Sequence, residues 1–88
     1  MLKPVYTKKF QKDLKRVKKR NKDTVKLKAV ITILLRQEKL PARYKNHRLT
    51  GNLVGKLELH IEPDWLLIYK SDSNSVTFIS TGSHSDLF

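Results

Sequence analysis

Residues 57–80 read LELHIEPDWLLIYKSDSNSVTFIS, and this stretch carries the strongest structural signal in the chain. Its first six residues alternate apolar and polar side chains, which predicts a strand with one buried face and one wet face. Trp65–Tyr69 is apolar throughout and predicts a central strand that is covered on both faces. Polar turns at residues 62–64 and 71–74 separate these strands from a third, Val76–Ser80. A small, mainly antiparallel sheet is therefore expected.

Upstream of this sheet, a short edge strand at Leu2–Tyr6 precedes two predicted helices. Thr7 can cap a first helix that runs to about Arg20, and Asp23 can cap a second that runs to about Gln37. The apolar stripes of the two helices are Phe10, Leu14 and Val17, and then Leu27, Val30, Ile31, Leu34 and Leu35. The resulting order, β-α-α-β-β-β, predicts an α+β fold in which a helical hairpin packs on one face of the sheet.

Length and composition limit the class of protein. The chain has 88 residues and no cysteine, which predicts one domain, residues 1–88, without a disulfide or a thiolate metal site. The N-terminus lacks the apolar core of a signal peptide, and no apolar run approaches the length of a membrane span. We therefore expect a cytoplasmic protein with no membrane partner.

The charge is strongly asymmetric. The net charge is +11, of which +14 falls in residues 1–48 and −3 in the remainder. The basic residues of the first predicted helix are Lys8, Lys9, Lys12, Lys15, Arg16, Lys18, Lys19 and Arg20. Such a field attracts phosphate backbones, so this helix is predicted to bind RNA, including that of the ribosome. A membrane surface is a weaker candidate, because Phe10 is the helix's only aromatic anchor.

The three histidines, His47, His60 and His84, are candidate catalytic residues. His60 lies on the wet face of its predicted strand, and Asp64 can return to the same edge of the sheet across the turn. Cleavage of RNA requires a base, an acid and cations at the phosphate, and histidine can supply the first two. Phe88 can stack on a splayed base. Short metal-ligand spacings and a glycine-rich phosphate loop are absent from the sequence, so neither a metal nor another cofactor is expected.

Several segments closely resemble one known family. They are YTKKFQKDLKRVKKRNKD (6–23), YKNHRLTG (44–51), LHIEPDWLLIYK (59–70) and TGSHSDLF (81–88), so the likeness spans essentially the whole chain. They resemble the YafQ branch of the RelE/ParE toxin superfamily. The resemblance implies a RelE-like type II toxin, an endoribonuclease that cuts mRNA in the ribosomal decoding site. It further implies metal-independent cleavage through a 2′,3′-cyclic phosphate. The implied partner is a cognate DinJ/RelB-like antitoxin, bound in a toxin–antitoxin hetero-oligomer.

The resemblance also implies roles for particular residues. By motif position, the family's catalytic histidines fall on His47, His60 and His84, and its catalytic acid falls on Asp64. The family's terminal aromatic residue falls on Phe88. Neither the residue types nor the resemblance distinguishes the general base from the general acid.

Two positions depart from the family pattern. Leu57 and Ser80 stand where the family usually carries arginines, and the second of these arginines belongs to the family's site. Loss of a transition-state cation can cost about 10²–10³ in rate. Arg48 is the first candidate to replace it, followed by Lys56 and Arg43; alternatively, Arg48 is only another phosphate contact.

Two other functions remain open at this point. One is a ParE-like gyrase poison without nuclease activity, which has no evident use for four clustered acid–base residues. The other is a ribosome- or RNA-binding module that cuts weakly, and only the replaced arginines favour it.

Overall fold

A computed structural model describes residues 1–88, apart from the side chain of Asn52, and these residues form five strands and three α-helices. The elements are β1 (Lys3–Tyr6), α1 (Lys8–Lys19), α2 (Thr24–Leu35), β2 (His47–Arg48), β3 (Leu57–Glu62), β4 (Trp65–Ser71), β5 (Ser75–Gly82) and α3 (His84–Leu87). Two 3₁₀ turns, Ala42–Tyr44 and Gly51–Leu53, flank β2. No helix in this described chain is long and apolar enough to cross a membrane.

The sheet has the order β1-β5-β4-β3-β2. Strand β1 runs parallel to β5 at one edge, and the other neighbouring pairs are antiparallel. The predicted α+β class, the mainly antiparallel sheet, the edge position of β1 and the central position of β4 are therefore confirmed.

Strand β4 is buried on both faces, as its apolar sequence predicts. One face contributes Trp65, Leu67 and Tyr69 to the main core. The core residues that pack with them include Phe10, Val17, Leu27, Val30, Leu59, Val76 and Phe78. The other face carries Leu66 and Ile68, which are also buried but lie outside this cluster. Helices α1 and α2 thus cover one face of the sheet and leave the opposite face uncovered by either of them.

Both helices begin at the predicted caps. The Thr7 hydroxyl accepts a hydrogen bond from the Phe10 N–H at 3.0 Å, and the Asp23 carboxylate accepts one from the Val25 N–H at 3.0 Å. Helix α1 packs on β5. The two helices do not close tightly on each other, because a groove of about 510 Å³ lies between them. Its apolar lining is Tyr6, Phe10, Leu14, Leu27 and Ile31.

Two short elements are not predicted by the sequence pattern. Strand β2 has only two residues and forms by pairing with β3, so it has no periodicity of its own. Helix α3 has four residues and depends on a capping box between Ser83 and Asp86. The spacing of those two residues is a recognised start signal, although a helix of four residues is too short to show a helical repeat.

A buried carboxylate joins α1 to the sheet, and the apolar pattern of α1 does not predict it. Asp13 is 3% exposed and accepts the backbone N–H of Thr81 at 3.2 Å. Lys9 and Arg16 bind the same carboxylate at 2.8 and 3.0 Å. The carboxylate is therefore paired, as a buried charge must be.

We expect Thr7→Ala to lower the free energy of unfolding by about 1–2 kcal/mol, because an N-cap is lost. The same hydroxyl also donates to the Ile79 carbonyl at 2.9 Å. The matched control is Thr32→Ala, which removes an exposed bond within α2 to the Lys28 carbonyl and should cost less than about 0.5 kcal/mol. Urea titrations of both variants measure the difference, and equal losses would contradict the assignment of Thr7 as a cap tied to β5.

Candidate functional site

The sheet face opposite the helices carries two of the histidines. His47 on β2 pairs directly with Glu58 on β3, and residues paired in this way point to the same side of a sheet. His60 lies two residues beyond Glu58 and therefore shares its face. Because Leu59, between them, packs into the main core, these three polar side chains lie on the side of the sheet opposite α1 and α2.

Glu58 joins the two histidines. Its side chain is largely buried, and its Oε1 lies 3.3 Å from His47 Nε2 and 3.5 Å from His60 Nε2. Sequence reasoning placed Glu58 on the wet face of β3 and gave it no role in the site. The sequence shows that Glu58 lies two residues before His60, so that the two side chains share a face of the strand. It does not show that His47 is the cross-strand neighbour of Glu58, which only the fold establishes.

Backbone carbonyls orient both of these rings. His47 Nδ1 lies 2.9 Å from the carbonyl oxygen of Lys45, and His60 Nδ1 lies 3.3 Å from that of Pro63. Since a carbonyl only accepts, Nδ1 is the donor in each ring. Both nitrogens of each ring then face acceptors, and the Glu58 contacts are hydrogen bonds only when the ring carries two protons.

His84 is held in a different way, by Asp64. The carboxylate accepts the backbone N–H of His84 at 2.9 Å and the ring Nδ1–H at 2.7 Å. These two hydrogen bonds, the backbone one first, lower the pKa of Asp64 from its ordinary value. With Nδ1 occupied, His84 Nε2 makes no hydrogen bond with any residue that the structure describes.

The three rings form a row along this face. The ring centroids of His47 and His60 are 6.3 Å apart, and those of His60 and His84 are 5.7 Å apart. The side chains of His47 and His84 are about half exposed, so the row lies on an open surface. In the described part of the chain, no three His, Asp or Glu side chains are arranged to hold a metal ion.

Position 80, where the resemblance led us to expect an arginine, belongs to the same face. Ser80 pairs with Ile68, which pairs with Glu58, which pairs with His47. An arginine at this position would therefore extend from the floor of the site. Ser80 is buried and supplies no charge there.

Arg48 lies away from the histidine row. It follows His47 on β2, so the two side chains point to opposite faces of the strand. Arg48 and Lys56 instead line a separate depression of about 420 Å³ together with Leu49 and Val54. The interpretation of Arg48 as a replacement cation therefore stays a prediction.

Arg43 is the predicted cation that lies beside a histidine. Arg43, Lys45 and His60 line one cleft of about 310 Å³. The Arg43 guanidinium lies 4.8 Å from the ring centre of Tyr44 and donates to the Tyr44 hydroxyl at 3.1 Å. Because Tyr44 is buried, it is a fixed support for this guanidinium.

The predicted RNA-binding residues of α1 fall into two groups. Exposed lysines point to solvent: Lys8, Lys12, Lys15, Lys18 and Lys19. The remaining three are in ion pairs within the chain. Lys9 and Arg16 bind Asp13, and Arg20 binds Asp86 of α3. Phe88 follows α3 and is 61% exposed.

The chain is similar to proteins of one toxin family. A family model described as a bacterial toxin of type II toxin–antitoxin system, YafQ, matches residues 2–88. The mRNA interferase toxin YafQ of Escherichia coli K12 is 44% identical over 84 residues, which cover 94% of this chain and 91% of that protein. The crystal structure of YafQ from E. coli BL21(DE3) has a TM-score of 0.95 at 40% identity and covers 100% of this chain and 99% of the other. The E. coli DinJ–YafQ complex gives a TM-score of 0.92 at 42% identity, over 100% of this chain and 99% of that one.

We expect Asp64→Asn to change the tautomer of His84, because the ionised carboxylate is what favours a proton on Nδ1. Ring ¹⁵N chemical shifts at neutral pH measure the change. Asp72→Asn is the matched control, since Asp72 caps a turn through the N–H groups of Asn74 and Ser75 and has no histidine partner. Identical His84 shifts in both variants would contradict the assignment.

The same contact has a defined pH dependence. The folded pKa of Asp64 is lowered, so the contact stabilises the fold above the ordinary carboxyl pKa of about 3.9 and is lost as the pH falls through the lowered value. The carboxyl ¹³C shift of Asp64 in the wild type should therefore show an ionised carboxylate throughout the neutral range.

Proposed function

The chain belongs to the YafQ family of bacterial toxins from type II toxin–antitoxin systems, and on that premise we propose that it is an endoribonuclease that cuts mRNA on the ribosome. The observation that carries this proposal is the row of His47, His60 and His84 beside Glu58 and Asp64. Five acid–base groups gathered at one face and one end of the sheet match the needs of RNA scission, and they have no evident use in a gyrase poison.

The proposed reaction is a transfer within the RNA backbone. The 2′-oxygen attacks the adjacent phosphorus, the bond from phosphorus to the 5′-oxygen breaks, and the products are a 2′,3′-cyclic phosphate and a free 5′-hydroxyl. A base removes the 2′-hydroxyl proton, and an acid donates a proton to the departing 5′-oxygen. The reaction conserves atoms, charge and oxidation state without a metal or a redox cofactor.

The ring contacts suggest how the two proton transfers are divided. His84 keeps Nε2 open while Asp64 holds its Nδ1–H, an arrangement that suits a general base. We assign the acid to His60, whose Nε2 faces Glu58 and whose Nδ1 faces a backbone carbonyl. His47, on the far side of Glu58, adds a second imidazole beside the phosphate.

Cations beside the row would stabilise the charged phosphorus centre. Arg43, supported by Tyr44 in the cleft next to His60, is our candidate for the charge that Ser80 does not supply. Arg48 and Lys56, which share a different depression, would contact the mRNA backbone farther from the reaction. Phe88 is exposed beyond the His84 turn and would stack on an unpaired base.

The ribosome would complete this site. The histidine row is open, so by itself it neither excludes water nor orients an mRNA strand. The exposed lysines of α1 form a basic surface that suits ribosomal RNA, and binding should weaken steeply with salt. The place of action would then be the cytoplasm.

An antitoxin is the second proposed partner. The related E. coli toxin has been crystallised with DinJ. We propose that a DinJ-like antitoxin neutralises this chain in a hetero-oligomer, and that an acidic surface of the antitoxin is attracted by the same basic half that would bind RNA.

We expect His84→Ala to reduce mRNA cleavage by about 10²–10⁴-fold, the usual contribution of a general acid or base. The measurement is a map of mRNA 5′ ends after induction in cells. Ser85→Ala, in the same short helix, is the matched control and should still arrest growth and leave codon-phased cuts. Arrest with intact mRNA and damaged DNA would favour a gyrase poison, and arrest with neither would favour a binding module.

We expect Arg43→Gln to lower the cleavage rate by about tenfold or more, because a charge beside His60 is removed. Arg48→Gln is matched in chemistry and should chiefly weaken mRNA binding, with only a few-fold effect on the rate constant. Single-turnover cleavage on purified ribosomes separates the two quantities. A larger rate effect at Arg48 would support the sequence-based choice of Arg48 instead.

A further inference from the structure

The C-terminal turn that carries His84 is bound to α1 by an ion pair. Arg20 holds both carboxylate oxygens of Asp86, with contacts of 2.5 and 3.1 Å. We infer that Arg20 and Asp86 are positioning residues, which hold His84 in place for the proposed cleavage instead of binding RNA. This inference rests on the proposed function and assigns a second task to the basic helix.

The Asp86 carboxylate also belongs to the capping box at the start of α3. It accepts the Ser83 N–H at 2.9 Å, while the Ser83 hydroxyl accepts the Asp86 N–H at 3.2 Å. The Arg20 contact, followed by that of Ser83, holds the pKa of Asp86 far below its ordinary value. The carboxylate is therefore ionised at any pH at which the protein would act, and Arg20 remains bound to it.

Gly82 lets the carboxylate approach the backbone. A Cβ atom at position 82 would lie 2.8 Å from Asp86 Oδ2 and 2.9 Å from Asp86 Cβ. The residue also has φ +156°, which side chains rarely adopt. The glycine before Ser83 is thus required by the packing of Asp86 against the chain.

A second carboxylate fixes the other side of Gly82. Asp13, buried on α1, accepts the Thr81 N–H at 3.2 Å. Arg16 stands between the two acids, with Nη2 3.0 Å from Asp13 and Nε 3.8 Å from Asp86. The Arg16 Nε is buried and too far from Asp86 for a hydrogen bond, so its contribution there is an ion pair alone. Helix α1 consequently holds the chain immediately before and after Gly82.

This network has a direct consequence for His84. A helix of four residues is not stable without outside contacts, because helix nucleation is unfavourable. The Arg20–Asp86 pair is a long-range contact that orders the turn beside the two hydrogen bonds from Asp64, and the ordered turn aims the backbone N–H and the ring of His84 at Asp64. A shift of about 1 Å in a reacting group can lower a rate by about 10²-fold.

The experiment is a double-mutant cycle with Arg20→Gln, Asp86→Asn and both together, measured by single-turnover cleavage on ribosomes. Each single variant should lower the rate constant by about 10- to 100-fold with little change in ribosome affinity. The double variant should have a rate constant no lower than that of the slower single variant, because each single substitution already removes the same contact. Arg20→Lys should recover part of the rate. Arg36→Gln, which removes an exposed charge from the end of α2, is the control and should match the wild type.

A ribosome-binding role for Arg20 predicts the opposite pattern and would overturn the inference. Arg20→Gln would then weaken ribosome affinity, Asp86→Asn would be silent, and the two effects would multiply. Circular dichroism must show that each variant is folded before its rate is interpreted.

Amide exchange in the free protein separates this inference from the proposed function. We expect exchange at the His84 N–H to rise about tenfold or more in Arg20→Gln and Asp86→Asn, and not in Arg36→Gln. If the wild type fails to cut mRNA but this pattern appears, the nuclease proposal fails and the positioning of the turn stands. Unchanged exchange would overturn the positioning role whatever the activity.

Discussion

Residues Trp65–Tyr69 of strand β4 are apolar on both faces, so both faces must be kept from water. The helices and the neighbouring strands pack around this strand. The helices cover Trp65, Leu67 and Tyr69 on one side. On the other side, Leu66 and Ile68 have polar cross-strand neighbours, including His60 and Glu58. The apolar strand therefore forms the floor of the candidate site. The distance between Glu58 and His60 is set by their places on one strand of the sheet.

The basic residues of α1 and its C-cap differ in their contacts, and the sequence alone does not distinguish them. The lysines on the outer side of α1 have no partner within the described structure and are available to a polyanion. Arg16 and Arg20, on the same helix, face two aspartates and stabilise the junction between β5 and α3. Under the proposed function, one helix would both approach the ribosome and hold the turn that carries His84.

The sheet register and the alternation of side chains decide which residues can reach the candidate site. The sheet register places residue 80 in line with Glu58 and His47, so an arginine there would reach the site directly. Arg48 is next to His47 in sequence but points the other way, because neighbouring residues alternate across a strand. Arg43 is more distant in sequence but lines the His60 cleft, since the 3₁₀ turn brings it back to the sheet.

Local patterns in the sequence determined the α+β class, both helix caps, the central strand β4 and the edge strand β1, because capping, periodicity and apolar runs are properties of neighbouring residues. Sequence motifs also selected His47, His60, Asp64 and His84 as candidates. Only the tertiary structure decided that Glu58 bridges two histidines, that Asp13 is buried and that Arg20 reaches Asp86. Each of these contacts joins residues from different elements, and cross-strand register and helix docking, which set such contacts, leave no periodic trace in the chain.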